Sequence, residues 1–135
     1  MTPRAAAVAA GLAAALGAGC GNPGGDLISI EVREPTAGGK PVHRLVVTDD
    51  GRGRCNAGEL ERLPSERLLE AREAQRELEE LADRGVRLPA RPGRRAYRVH
   101  MRAGSVSWSE GDRADPALAK ATLLATKLRH ELCRP

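Results

Sequence analysis

The sequence predicts a small α+β domain of order ββαββα, in which two helices pack against an antiparallel sheet. Three short segments alternate apolar and polar residues with period two, which is typical of half-buried strands, and a fourth segment, residues 42–48, is expected to pair with the first of them. Two longer segments carry apolar residues at helical spacing, and glycine or proline separates the segments. The length of 135 residues suits one domain, which is expected to span residues 26–135. The chain has one Trp, one Tyr and no Phe. Most of its core must therefore be supplied by Leu, Val and Ala.

The first two strands are expected to form a hairpin. Ile28, Ile30 and Val32 alternate with polar residues, which predicts one buried face for the first strand. Residues 35–41 (PTAGGKP) are typical of a loop, and residues 42–48 (VHRLVVT) are expected to form the second strand. This loop is longer than the two-residue minimum for a hairpin.

A helix of about 20 residues is expected to begin at Ser65 and to end before Gly85. Ser65 suits the N-cap position, and Gly85 suits the residue that terminates a helix. One stripe of this helix is expected to face the core, formed by Leu68, Ala71, Gln75, Leu78, Leu81 and Ala82. Residues 86–93 (VRLPARPG) contain two prolines and a glycine, so they are not expected to be helical.

Two further strands are expected around a turn at Ala103-Gly104. Tyr97 and its neighbours alternate with polar residues before this turn, and Val106 and Trp108 alternate with serines after it. Tyr97 and Trp108 both lie at apolar positions of the alternation, so both are expected in the core.

The last helix is expected to begin with Asp115 as its N-cap and Pro116 at its first helical position. Its apolar stripe is expected to comprise Leu118, Ala121, Ala125, Leu128 and Leu132.

The amino terminus has the features of an export signal. Met1–Arg4 carries one positive side chain, and residues 5–16 (AAAVAAGLAAAL) form an uncharged apolar run. Spanning a bilayer takes about 20 apolar residues, whereas the apolar region of a signal peptide needs roughly 7–15. Residues 1–19 are therefore expected to be a cleaved signal peptide.

Two small residues, Ala18 and Gly19, directly precede Cys20. This arrangement resembles the lipobox of bacterial, and in particular actinobacterial, lipoproteins, with Gly17 standing where that family usually has Leu. The resemblance implies that Cys20 is diacylated and becomes the new amino terminus. Residues 20–25 would then tether the domain to the extracytoplasmic face of the cell membrane. Secretion without an anchor and an uncleaved amino-terminal anchor are the alternatives.

If Cys20 is acylated, Cys55 and Cys133 remain as an even pair in an oxidising compartment. A disulfide between them would close a loop of about 80 residues and stabilise the fold by about 4 kcal/mol in the chain-entropy model. Free thiols and a metal site are the alternatives. We expect no metal site, because the sequence spacing of the cysteines and the three histidines (His43, His100, His130) is not that of a zinc site.

The sequence contains no catalytic motif. It lacks a GxSxG nucleophile elbow and an HExxH metal motif, and its two glycine-rich stretches, residues 38–40 and 51–54, are not followed by a helix in the register of a phosphate loop. The chain is therefore expected to be neither an enzyme nor a cofactor-binding protein.

Charge is distributed unevenly along the chain. Residues 84–109 contain seven arginines and no acidic residue, whereas residues 59–83 contain nine acids and four arginines. The basic stretch predicts either an anion-binding patch or a solvated strand surface partly paired with the acidic helix. The candidate patch comprises Arg91, Arg94, Arg95, Arg98 and Arg102. No nucleic-acid partner is expected despite an isoelectric point near 9.4, because an exported protein rarely meets nucleic acid.

The predicted elements of residues 37–132 are separated by Gly38-Gly39, Leu63-Pro64, Leu88-Pro89, Gly104 and Pro116, and Tyr97 leads the third strand. This layout resembles the emfourin-type protein inhibitors of thermolysin-like metallopeptidases, although Lys40 stands where that family has an aromatic residue. The resemblance implies an inhibitory contact through the loop that contains Thr36, Ala37, Gly38, Gly39 and Lys40.

The sequence thus predicts an exported lipoprotein, held at the membrane through Cys20, with a small non-catalytic domain that binds an envelope or secreted protein. The alternative is a protein inhibitor of a secreted metallopeptidase.

Overall fold

The structure, a computed structural model, describes residues 25–38 and 40–134. Its elements are β1 (Asp26–Arg33), β2 (His43–Thr48), β3 (Arg52–Cys55), β4 (Glu61–Arg62), α1 (Ser65–Asp83), β5 (Ala96–Met101), β6 (Gly104–Ser109) and α2 (Pro116–Leu132). The predicted signal peptide, Cys20 and residues 21–24 lie outside the described residues, as does Gly39 of the candidate loop.

The six strands form one antiparallel sheet of order β4-β3-β2-β1-β5-β6. This confirms the predicted α+β class with an antiparallel sheet and two helices. β1 lies at the centre of the sheet, where Ile30 is opposite Leu45 of β2 and Val99 of β5. All three side chains are fully buried, so the centre of the sheet is also the centre of the core.

The two large aromatic residues are both buried in the core, as predicted. Tyr97 and Trp108 lie opposite each other on β5 and β6, and their rings stack with centroids 5.4 Å apart. The Trp108 indole N–H donates a hydrogen bond of 2.8 Å to the hydroxyl of Thr122 on α2. A buried indole needs such a partner, so this bond fixes α2 over the aromatic pair.

α1 ends as its sequence indicates but begins differently. Gly85 has a φ of +68° and its N–H bonds to the carbonyl of Ala82, while the N–H of Val86 bonds to the carbonyl of Leu81. This pattern is a Schellman motif, which favours glycine. Ser65 was expected as the N-cap, but it is the first helical residue, and Pro64 occupies the cap without a side-chain hydrogen bond.

The buried stripe of α1 also differs in part from the expected one. Its buried residues are Arg67, Ala71, Ala74, Leu78 and Leu81. Leu68, Gln75 and Ala82, expected in the stripe, are only half-buried. Arg67 reaches α2, where its guanidinium binds the Glu131 carboxylate at 2.6 Å, and it also binds Glu70 at 2.8 Å. An arginine can occupy a buried position because two carboxylates satisfy its charge.

α2 begins as predicted. The Asp115 side chain accepts a hydrogen bond of 2.9 Å from the N–H of Ala117, with Pro116 at the first helical position. Of its predicted stripe, Leu118, Ala121, Ala125 and Leu128 are buried and Leu132 is half-buried.

β3 and β4 were not expected from the sequence. β3 (RGRC) has no apolar alternation, because Gly53 occupies its core-facing position. A β-carbon at Gly53 would lie 2.9 Å from Leu132 Cδ1 and 3.1 Å from Leu63 Cδ1. Close packing therefore favours glycine at position 53. Without an apolar side chain at this core-facing position, β3 has no alternation that the sequence could show.

A disulfide joins Cys55 of β3 to Cys133 at the end of α2, with the Cα atoms 5.2 Å apart. This confirms the predicted pairing of the two cysteines. It links residues 78 positions apart and ties the last turn of α2 to the sheet.

Among the described residues, no helix is both long enough and apolar enough to cross a membrane.

We expect Gly53→Val to lower the free energy of unfolding by about 1–3 kcal/mol, because the added carbons overpack the space held by Leu132 and Leu63. Urea denaturation measures the change. Arg54→Val is the matched control, since the Arg54 side chain is exposed on the same strand. Equal stability of the two variants would contradict the close packing over Gly53.

Replacing Cys55 and Cys133 together by serine is expected to lower the free energy of unfolding by about 4 kcal/mol. The comparison is made in a Cys20→Ser background, so that no third thiol pairs with either residue. The same denaturation midpoint with and without the two cysteines would show that the cross-link does not stabilise the fold.

Candidate functional site: the open face of the sheet

Both helices pack on one face of the sheet, and within the described residues neither covers the opposite face. Alternation along the strands and their register assign the side chains to this open face. They are Ser29, Glu31 and Arg33 of β1, Arg44, Val46 and Thr48 of β2, Arg52 and Arg54 of β3, Arg62 of β4, Arg98 and His100 of β5, and Ser105, Ser107 and Ser109 of β6.

Glu31 lies at the centre of this open face, opposite Arg44 on one side and Arg98 on the other. Arg33 and Arg44 donate hydrogen bonds of 3.0 and 3.1 Å to its carboxylate, and His100 Nε2 lies 3.6 Å from it. Only 10% of the Glu31 side chain is exposed. Burial alone would raise the pKa of Glu31, but the two hydrogen bonds and the nearby positive charges outweigh it and lower that pKa.

Two pairs of polar side chains on the open face make cross-strand contacts between β5 and β6. Arg98 donates a hydrogen bond of 3.2 Å to the hydroxyl of Ser107, and His100 Nδ1 lies 2.9 Å from the hydroxyl of Ser105. Arg98 and Arg54 are both exposed. Six arginines (Arg33, Arg44, Arg52, Arg54, Arg62 and Arg98) thus share this face with Glu31. Asp50, in the turn before β3, pairs with Arg52 at 2.9 Å, so the open face is net positive.

The predicted arginine patch is distributed over several parts of the structure. Arg98 belongs to the open face, and Arg102 is exposed in the turn between β5 and β6. Arg95 binds Glu34 at 2.6 Å, Arg91 binds Asp112 at 2.8 Å, and Arg94 donates a hydrogen bond to the carbonyl of Glu110.

The acids of α1 pair mainly with α2 rather than with the basic stretch. Lys120 lies 3.0 Å from Glu77 and 3.5 Å from Glu73, and Lys127 lies 3.2 Å from Glu70. The acidic helix is therefore partly neutralised on the helical side of the domain. It does not neutralise the open face.

The described residues of the candidate inhibitory loop are mostly exposed and are joined by backbone hydrogen bonds. Pro35–Ala37 form one turn of 3-10 helix, and Gly38 follows with a φ of +62°. The N–H of Ala37 bonds to the carbonyl of Glu34, and the N–H of Lys40 bonds to the carbonyl of Ala37. Thr36, Gly38 and Lys40 are exposed, and Ala37 is half-buried.

A histidine that sequence spacing did not connect with the cysteines lies beside the disulfide. His43 Nδ1 is 3.7 Å from Cys55 Sγ, and the possible ligand atoms of His43, Cys55 and Cys133 all lie within 4.8 Å of one another. Burial, the positive charge of Arg129 and that of Arg95 lower the pKa of His43, against the opposing effect of Glu34. The lowered pKa favours the neutral imidazole.

Most of the open-face residues could not be grouped from the sequence, because they come from different strands of the sheet. Arg33, Arg44 and Arg54 are separated by about ten residues each, so no run of basic residues marks them. Their polar positions in the strand alternation were the available signal. That signal identifies a shared face only when the order and register of the strands are known.

We expect acid to reduce stability through Glu31. Because its pKa is lowered on folding, the carboxylate stabilises the fold above its ordinary value of 4.5, and this contribution is lost as pH falls through the lower folded value. Glu31→Gln should cost about 1 kcal/mol at pH 7 and flatten the acid side of the stability profile. Denaturation at pH 7, 5 and 3.5 measures both effects. Glu59→Gln, at an exposed position, is the control, and an unchanged profile in Glu31→Gln would contradict the assignment.

Comparison of the chain with protein-family models, with curated proteins and with solved structures finds no match.

Proposed function

We propose that the protein is an exported lipoprotein, anchored through an acylated Cys20, whose non-catalytic domain binds an anionic partner with its open sheet face. The observation that carries the binding role is the excess of arginines over carboxylates on the sheet face that neither helix covers. Lipid headgroups, acidic polymers and acidic proteins present the same negative charge to such a face.

The open face suits binding better than catalysis. Its central acid, Glu31, is engaged by two arginines, and the His100 side chain is 45% exposed. General acid–base catalysis requires groups that converge on a bound substrate within hydrogen-bond reach. Arginines that are distributed over a sheet face are instead suited to bind negative charges that are distributed over the surface of a partner.

The disulfide and the sequence before the domain support an extracytoplasmic location. Disulfides persist in oxidising compartments and are rare in the cytosol. Only residues 21–24 separate Cys20 from Gly25, where the described structure begins. These few residues extend to less than about 20 Å, so an acylated Cys20 would keep the sheet close to the bilayer surface.

The anchor is tested by intact mass spectrometry of protein from the membrane fraction, with and without reduction. The expected mass is that of residues 20–135 with a diacylglyceryl group, and reduction should add two hydrogen atoms. An unacylated chain in the soluble fraction, or a chain that retains residues 1–19, would contradict the anchored form.

The binding role is tested on Cys20→Ser protein with two probes, phosphatidylglycerol vesicles and polyglutamate. Each arginine near an anionic surface contributes about 1 kcal/mol, so Arg44→Gln with Arg98→Gln should weaken binding roughly ten- to thirtyfold. Arg76→Gln with Arg113→Gln is the matched control, because it removes the same charge at exposed positions outside the open face. Equal weakening in both pairs would mean that net charge, and not the open face, governs binding.

We propose inhibition of a secreted metallopeptidase as the second candidate function. The observation that favours it is the exposed loop closed by the hydrogen bonds from Ala37 to Glu34 and from Lys40 to Ala37. A segment that is held by its own hydrogen bonds before binding loses less entropy when it contacts a protease. Titration of a thermolysin-like metallopeptidase with the protein tests this role, and rapid cleavage at the loop without inhibition would exclude it.

A further inference from the structure

We propose that reduction of the Cys55–Cys133 disulfide turns the end of α2 into a zinc site, with His43 and the two cysteine thiolates as its protein ligands. This inference does not depend on the open face or on the anchor. It rests on the three residues that lie together beside β2, β3 and the end of α2.

The spacing of His43 and Cys55 matches that of two zinc ligands. Zinc binds sulfur at about 2.3 Å and histidine nitrogen at about 2.0–2.1 Å, so a tetrahedral site places N and S about 3.5 Å apart. His43 Nδ1 and Cys55 Sγ are 3.7 Å apart. Once the disulfide is open, the two sulfur atoms need to separate only to about 3.8 Å to complete three corners of the tetrahedron.

The chemistry of the step is balanced by an external two-electron reductant, a dithiol or a phosphine. The reductant supplies two electrons, two protons are taken up, and the sulfur–sulfur bond breaks to give two thiols. Zn²⁺ then displaces both thiol protons to solvent and bonds to the two thiolates and to the neutral imidazole. The ion and the two thiolates have no net charge together.

The surroundings suit such a site. The nearby Arg129 and Arg95 are both paired with Glu34, at 3.2 and 2.6 Å, so they do not face the ion as isolated cations. A cavity lined by His43, Thr126, Arg129, His130 and Cys133 adjoins the cluster. It gives water access to the fourth coordination position.

The test uses full-length Cys20→Ser protein, with zinc chloride as the probe and a chromophoric chelator as the competitor. In the presence of a phosphine, we expect one zinc ion bound per chain, and none at this site in the oxidised protein. Cobalt substituted for zinc should give a thiolate charge-transfer band. Circular dichroism reports whether the reduced chain is folded.

His43→Ala and His43→Gln are each expected to weaken zinc binding by the reduced protein at least about tenfold. His100→Ala is the matched control, because it removes a histidine from the open face. Equal zinc affinity in the His43 and His100 variants, an unfolded reduced chain, or the absence of stoichiometric binding would each overturn the proposal.

Discussion

Burial of one face of a six-stranded sheet beneath two helices is the constraint on which the rest of the structure depends. The chain has only one Trp, one Tyr and no Phe with which to fill this layer, and Tyr97 and Trp108 are stacked on each other. The hydrogen bond from Trp108 to Thr122 then sets where α2 crosses the sheet. Once both helices lie on this face, the other face stays uncovered, and the polar residues of each strand collect there.

The elements that the sequence predicted are mostly those in which burial makes apolar residues recur at a regular spacing along the chain. β1, β5 and β6 alternate cleanly, and α2 combines an N-cap, a proline and an apolar stripe. β3 was not predictable, because its core-facing residue is Gly53 and it therefore lacks apolar alternation. β4 was not predictable because it has only two residues. The burial of Arg67 could not be predicted, because it depends on ion pairs with Glu70 and Glu131. Glu131 lies 64 residues away in sequence.

The candidate site was harder to predict than the fold. The run of arginines in residues 84–109 predicts a basic patch. In the structure, however, Arg91 forms an ion pair with Asp112 and Arg95 forms one with Glu34. The open face gathers its charge from β1, β2, β3, β4 and β5, and Glu31 organises it from the centre. Strand register, which creates this group, depends on long-range pairing that local patterns do not encode.

The central position of β1 has a consequence for how the chain folds. β1 can pair with β2 as soon as the first hairpin forms. Its other edge can pair only with β5, whose partner residues lie about 65 positions later in sequence. Until then, Ile28, Ile30 and Val32 lie on a strand with an unpaired backbone edge. Such an edge is a template for pairing with a second chain. We therefore expect the domain to be most prone to aggregation before β5 pairs with β1, and a chaperone that covers this amino-terminal strand would protect it during that interval.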